Sequence, residues 1–360
     1  MKVKRFITCY NSAMGKKEKG SAPRHERVNL KTLASLLQLS QTTISLVLND
    51  SPAASSIPLK TRERVFAAAR KFNYRPNYFA RSLRQSRSMS IAVLAPDLSE
   101  GYFTLVMNGV QAALLEADYF YFTASHYWNP ALIEQYPRLM IERAVDGFLL
   151  LNTPADFQSP LPVVAISAHT PAPGVSNLIL DHALAADLAL AHLHDLGHTH
   201  VAIMQGPAII PDSDFRWAAI LEAAPKYGIK TRPDLRMRLQ ANSGSPELGY
   251  VPVKELLERT RDVTAIFCFN DIAAIGAIRA VRDAGLSVPE DISVIGFDDI
   301  LGASYHTPSI TTVRQPLEEM GRRGAQILLE RIANPAQEFA PEIVLKPQLI
   351  VRESTGPAKQ

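Results

Sequence analysis

Cysteine is scarce in this sequence. The 360 residues hold two, Cys9 in a polar N-terminal stretch and Cys268 inside an apolar run. That placement supports neither a disulfide framework nor a thiolate metal cluster, and it fits a reducing compartment such as the cytoplasm. Long apolar runs are missing too, and none approaches the roughly 18 residues that a membrane-spanning helix needs. The basic start lacks an apolar core of leader length, which speaks against a secreted binding protein. No GxGxxG follows the first apolar strand and no Walker pattern occurs. A Gly-x-Ser-x-Gly elbow is likewise missing. Enzymatic activity therefore has no positive support, and no metal or cofactor is expected.

What is present is an uneven distribution of charge. The net value of +3 conceals 18 Lys/Arg against four acids in residues 1–87, a balance of +14. The remaining 273 residues balance at −11. A basic head on an acidic body points to a polyanion partner for the head alone. A solvated basic tail is the plainer alternative for residues 1–27, which contribute +6. Residues 28–87 still carry +8 with a folded texture.

Residues 1–27 are polar and lack periodicity, as expected of a disordered extension. In residues 28–74 helical spacing predicts three short helices, about 30–37, 41–48 and 60–72. Leu33, Ala34, Leu37, Leu39, Ile44, Val47, Leu48, Val65, Ala69 and Phe72 can form one small core. Arg75-Pro76-Asn77 then breaks the chain, and residues 75–88 read as a short helix with a polar linker. From residue 89 the texture changes. Apolar runs at 90–95, 119–124, 147–151, 163–166, 201–204, 265–269 and 293–297 alternate with helical stretches. Such runs signal parallel strands covered on both faces. The expectation for 89–360 is two α/β subdomains, with the chain crossing between them near 180 and 315. A cleft between them, at the carboxyl ends of strands, is a natural ligand site.

Helix, tight turn and helix over 30–48 is the spacing of a helix-turn-helix. Such a motif sets its second helix in the major groove. The residues offered there are Gln41, Thr42, Thr43 and Ser45. Gln suits adenine, and Thr brings a hydroxyl and a methyl. Lys31, Lys60, Arg62 and Arg64 can serve phosphates. A small helical packing domain with a polar surface is the bland alternative.

VNLKTLASLLQLSQTTISLVLND (28–50) and TRERVFAAARKFNYRPNYFARSLR (61–84) resemble the head of the LacI/GalR, or lac-repressor, family. The likeness continues through IAVLAPDLSEGYF (91–103), HLHDLGHTHVAIMQGP (192–207), TAIFCFNDIAAIGAIRAVRDAGLSVPEDISVIGFDDI (264–300) and VREST (351–355). It spans roughly 28–355. The resemblance implies a small all-α helix-turn-helix head on an α/β, periplasmic-binding-protein-like body of two doubly wound parallel-sheet subdomains. It implies a homodimeric transcriptional repressor on double-stranded operator DNA, controlled by a small-molecule effector, carbohydrate or related metabolite, and working at the nucleoid.

It also assigns residues. Leu83 matches the hinge residue that wedges into the minor groove, with Asn77, Ala80, Arg81 and Arg84 as neighbours. Tyr102, Phe103, Arg216, Asn270 and Asp298 match effector-binding positions, while Asp271 is expected to cap the helix beside it. The departures are specific. Gln38 stands where relatives often carry Gly at the turn. Leu46 replaces an arginine that reads guanine, leaving a thymine methyl or the protein core as its partner. Ser167-Ala168 replaces an Asp-Arg pair, and Tyr127, Trp128 and His169 are expected to reshape the pocket.

His192, His194, His198 and His200, with Asp181, His182 and Asp195 nearby, invite a zinc reading. The run ends a helix at Gly197, however, so the rings need not converge. Ile327, Leu328 and Ile332, with the helix over 102–115, suit a dimer interface or a core equally.

Overall fold

The computed structural model describes residues 28–49, 51–74, 87–98, 101–154, 157, 159–168, 172–240 and 244–359. The hinge positions Asn77, Ala80, Arg81, Leu83 and Arg84 lie outside them, as does His169. The chain divides into two compact units, 1–81 and 82–360.

In the first unit, α1 (Leu30–Leu37), α2 (Gln41–Leu48) and α3 (Leu59–Lys71) surround one core. Each boundary has a local cause. The Asn29 side chain accepts the Thr32 amide at 2.9 Å, and Ser40 accepts that of Thr43 at 3.0 Å. These caps satisfy amides that a helix start leaves open. The turn between α1 and α2 passes through Gln38 at φ 55. A side chain is disfavoured there, which explains why relatives often use glycine. Leu33, Ile44, Val47 and Val65 are fully buried, with Leu37, Leu39, Leu48 and Phe72 packed around them.

The second unit holds two six-stranded sheets. The first is built from β1 (Ser90–Ala95), β2 (Phe120–Ser125), β3 (Gly147–Leu151), β4 (Val163–Ile166), β5 (Val175–Leu180) and β11 (Glu342–Leu345), in the order β11-β5-β4-β3-β1-β2. All its pairings are parallel. On one face lie α4 (Gly101–Glu116) and α11 (Leu317–Ala333), and on the other α5 (Pro130–Glu142). The second sheet uses β6 (Val201–Gln205), β7 (Arg236–Arg238), β8 (Ala265–Phe267), β9 (Ser293–Asp298), β10 (Thr311–Arg314) and β12 (Gln348–Ile350), in the order β12-β10-β9-β8-β6-β7. Only β12 runs antiparallel. Its faces are covered by α6 (His182–Asp195) with α7 (Pro211–Ala223), and by α8 (Glu247–Arg259) with α9 (Asp271–Asp283). A short α10 (Leu301–Tyr305) follows β9.

The chain passes between these lobes at 181, at 315–316 and again at 346–347, between β11 and β12. Sequence reading offered only the first two places. Leu328 and Ile332 are buried in the first lobe's core against Val106 and Val110, with Ile327 packed beside them. Leu328 and Ile332 thus serve the core of this lobe.

Candidate nucleic-acid interface and ligand cleft

At the head, the N-terminal turn of α2 presents Gln41 and Thr42 exposed, with Thr43, Ser45 and Leu46 half-buried. Ile44 and Val47 turn inward. Thr43 shares its hydroxyl with Ser40 at 2.8 Å, so this side chain is already oriented at the helix start. Leu46 stands on the α2 surface and is not one of the residues packed on the head's core. Lys31, Lys60 and Arg64 are exposed. Arg64 also donates to the Leu37 carbonyl at 3.2 Å, tying α3 to the end of α1.

In the body, Tyr102, Phe103, Arg216, Asn270 and Asp298 come together around one cavity between the lobes. They are joined by Asn152, Ile210, Asp212, Phe269 and Gln315, which sequence reasoning missed. Strand ends position most of them: Asn152 follows β3, Phe269 and Asn270 follow β8, Asp298 ends β9 and Gln315 follows β10. Free space amid these side chains is about 30 Å³, room for a water or two. That volume is well below what a ring-sized ligand occupies.

Arg216 anchors the second lobe's side of the cavity. Its guanidinium carbon lies 3.5 Å from the ring centre of Phe297 and 4.8 Å from that of Phe269. Nη1 donates to the Phe269 carbonyl at 2.5 Å, and Asp212 lies 3.9 Å away. Burial pushes its pKa down, opposed by Asp212 and Asp298. Asp298 adopts φ 106 and accepts from Gln315 Nε2 at 2.7 Å. Its neighbour Asp299, at φ 59, takes ion pairs from Arg314 at 2.7 Å and Arg352 at 2.6 Å. Those pairs pin the strained turn. The Tyr102 hydroxyl shares a hydrogen with Ser167 Oγ at 3.1 Å, and burial raises its pKa, keeping the phenol protonated.

One role is corrected. Asn270, not Asp271, is the N-cap of α9, and its Oδ1 accepts the Ala273 amide at 2.9 Å. This leaves its NH₂ as the group for the cavity. Asp271 accepts instead from Thr312 Oγ1 at 2.6 Å and Ile300 N at 2.9 Å. Burial raises its pKa to about 7. The carboxylate braces the loop carrying Asp298 from behind.

The loop after β2 reaches across the cleft. Tyr127 and Trp128 both adopt left-handed backbone, at φ 50 and φ 57. Tyr127 is exposed, whereas Trp128 packs on the core of the other lobe. Each histidine in the suspected metal cluster has a partner of its own. His192 meets Thr355, His194 the Tyr227 carbonyl, His198 Thr264 and the Gly356 carbonyl, and His200 Asp262. Among the described residues no group of three or more His, Cys, Asp or Glu converges as for a metal ion.

A helix-turn-helix head joined to a two-lobed body of periplasmic-binding-protein type is the class that this fold defines. Residues 29–77 match the profile of bacterial regulatory proteins of the lacI family, and 190–355 match a periplasmic binding protein-like domain. The HTH-type transcriptional repressor PurR of Pasteurella multocida is 31% identical over 340 residues, covering 90% of this chain and 98% of the relative. The chain belongs to the lacI family. Among solved structures, the lac repressor dimer bound to operator and the anti-inducer ONPF gives a TM-score of 0.80 at 25% identity, covering 92% of this chain and 100% of its own. The transcriptional regulator CelR in complex with cellobiose gives 0.68 at 28% identity, covering 91% of this chain and 100% of its own. A ribose-bound family member from Enterococcus faecium gives 0.65 at 28%, covering 75% and 100%.

Proposed function

We propose that this protein is a homodimeric transcriptional repressor that binds a palindromic operator and is controlled by a small metabolite in the cleft. The observation that carries the reading is the pairing, on one chain, of a basic head with an exposed polar α2 start and a body whose interlobe cavity is lined by buried charge. Gln41, Thr42, Thr43 and Ser45 read base edges, and Leu46 takes up a thymine methyl. Leu83 wedges into the minor groove, flanked by Asn77, Ala80, Arg81 and Arg84. Tyr102, Phe103, Arg216, Asn270 and Asp298 hold the effector. The domains follow this division: a basic extension over 1–27, a DNA-binding head over 28–74, a hinge over 75–88 and an effector-binding body over 89–360. The relatives are transcriptional regulators, and no enzymatic step is assigned to the cleft. Among the described residues no helix is long and apolar enough to cross a membrane. The protein works in the cytoplasm, on the nucleoid.

Dimerisation gives two heads the two-fold symmetry of paired half-sites. Large apolar side chains left exposed at Leu115, Phe120 and Phe122 in the first lobe, and at Leu301 and Tyr305 in the second, offer surface for a second copy.

Selection of random duplex DNA by the purified chain tests the reading. The expected result is an enriched palindrome with a deformable pyrimidine–purine step at its centre. Absence of any enriched sequence, both alone and with a pool of cell metabolites, would overturn it.

A further inference from the structure

The chain is fastened where it enters the body, just before β1. Asp146, immediately ahead of β3, collects the donors there. Its Oδ1 accepts the Ser88 amide at 2.7 Å and the Ser88 hydroxyl at 3.1 Å, and its Oδ2 accepts the Met89 amide at 2.8 Å. The Tyr119 hydroxyl donates to the same carboxylate and accepts from Arg87, and burial raises its pKa, keeping the phenol protonated. Arg87 also donates to the Ile332 carbonyl in the last turn of α11, at 2.9 Å. Hydrogen bonds to an ionised acceptor are about twice as strong as neutral ones.

Backbone bonds complete the fastening. The Asp146 amide donates to the Ser90 carbonyl and the Phe120 amide to that of Met89, both at 2.8 Å. Met89 adopts φ 52, a left-handed conformation that persists only where its surroundings fix it. Residues at β2, β3 and α11 thus grip 87–89. The gripping carboxylate stands at one end of β3, and Asn152 of the ligand cavity stands at the other. The five residues between them are buried throughout. A strand packed in this way transmits strain instead of absorbing it.

We propose that Asp146 anchors the hinge segment to the first lobe, and that operator binding depends on this anchor. Asp146 is a positioning residue. The end of the hinge segment takes its place and direction from the carboxylate, and β3 carries displacements at the cavity to that point. This rests on the reading of 75–84 as the hinge that meets the minor groove.

Two measurements on the full chain test the anchor, and the first needs no DNA. Arg87–Ser88 is a bond that trypsin can cut, and it lies inside the anchor. A body fragment beginning at Ser88 should be missing from native digests of wild type and should appear with Asp146→Asn. That variant keeps the shape and turns one acceptor oxygen into a donor facing another donor. Fluorescence anisotropy then compares the selected operator with unrelated duplex. At unchanged melting temperature, Asp146→Asn should weaken the operator by roughly tenfold or more and unrelated duplex by less than about twofold. Were the segment only a slack tether, extending it from 75–86 to 75–89 would cost about 1.4-fold. Tyr119→Phe removes one donor and keeps the ring. It should move both readouts in the same direction, and it decides the matter if Asp146→Asn melts early. A bond that stays protected in both variants overturns the anchor. An opened bond with an operator loss no larger than the slack-tether value, or with a loss shared by both duplexes, overturns its role in operator binding. If no operator is selected, the repressor reading fails and that role with it, whereas the digest still decides whether Asp146 holds residues 87–89.

Discussion

His126 has no exposed surface, and both of its ring nitrogens are engaged. Nδ1 accepts the Trp128 amide at 3.1 Å, which places the proton on Nε2, facing Thr153 Oγ1 at 2.9 Å. Burial lowers its pKa from 6.5 to about 4. The unfolded chain therefore binds a proton in this interval that the folded chain refuses. The stability contributed by neutral His126 is complete above pH 6.5 and is lost as pH falls towards 4. Asp271, raised to about 7, acts in the opposite sense, because its buried charge disappears on acidification. Comparison with His126→Gln isolates the histidine. Thermal melting should show the gap between wild type and variant closing between pH 6.5 and 4. Parallel pH profiles would mean that the imidazole takes up its proton inside the fold. Legibility was uneven at this scale. Arg216 and Asp298 stood out through family resemblance, but Asp212, in the first turn of the same helix as Arg216, was passed over. The i, i+4 spacing of Asp212 and Arg216 on one helix face was the available signal.

Helix pairing in each lobe depends on glycines that meet face to face. A Cβ added at Gly109 in α4 would stand 1.9 Å from the Glu318 carbonyl oxygen, and one at Gly321 in α11 would stand 2.0 Å from that of Val106. The second lobe repeats the device: Gly249 in α8 meets the Ala273 carbonyl and Gly276 in α9 that of Pro246, both at 1.8 Å. Backbone cannot yield as a side chain tip can, so the helices must part. Gly109→Ala should destabilise the body by about 1–3 kcal/mol, measured by denaturant titration. Gly302→Ala is the control, since its Cβ meets nothing nearer than 3.8 Å, and it should stay within about 0.5 kcal/mol of wild type. An indifferent Gly109→Ala would show that the α4–α11 approach is slack. At this scale the sequence was most legible where strands lie between two helical layers. Runs such as SIAVLA and GFLLL are predominantly apolar, are buried throughout and coincide with β1 and β3. The edge strands β7 and β12 escaped notice because they are too short to show a period. Arg236–Arg238 and Gln348–Ile350 have three residues each.

On the scale of the whole molecule, charge separation decides how the protein meets DNA. The acidic body should be repelled by the polymer that the +14 head attracts, so phosphate contacts are expected within residues 1–87. The same separation was visible in the sequence, whereas the third passage between lobes at 346–347 was not, because an antiparallel strand added at a sheet edge carries no crossover helix to announce it. Neutralised phosphates release counterions, and a complex with six to ten such contacts loses roughly 10³–10⁵ in affinity between 50 and 200 mM salt. That steep fall is expected for the selected operator. Lys60, exposed in the first turn of α3, is a candidate phosphate contact. In a dimer it occurs twice, so Lys60→Ala should lower the slope of log K against log salt by about two. Because phosphates carry no sequence information, the loss should be equal on operator and on unrelated duplex. Thr42→Ala should behave in the contrary manner, weakening the operator alone and leaving the slope unchanged. Fluorescence anisotropy of labelled duplexes across a salt series separates the two. A Lys60→Ala slope equal to that of wild type would remove this lysine from the phosphate contacts and shift the search to Lys31, Arg62 and Arg64. A Thr42→Ala loss shared by both duplexes would place that residue on the backbone instead of a base edge.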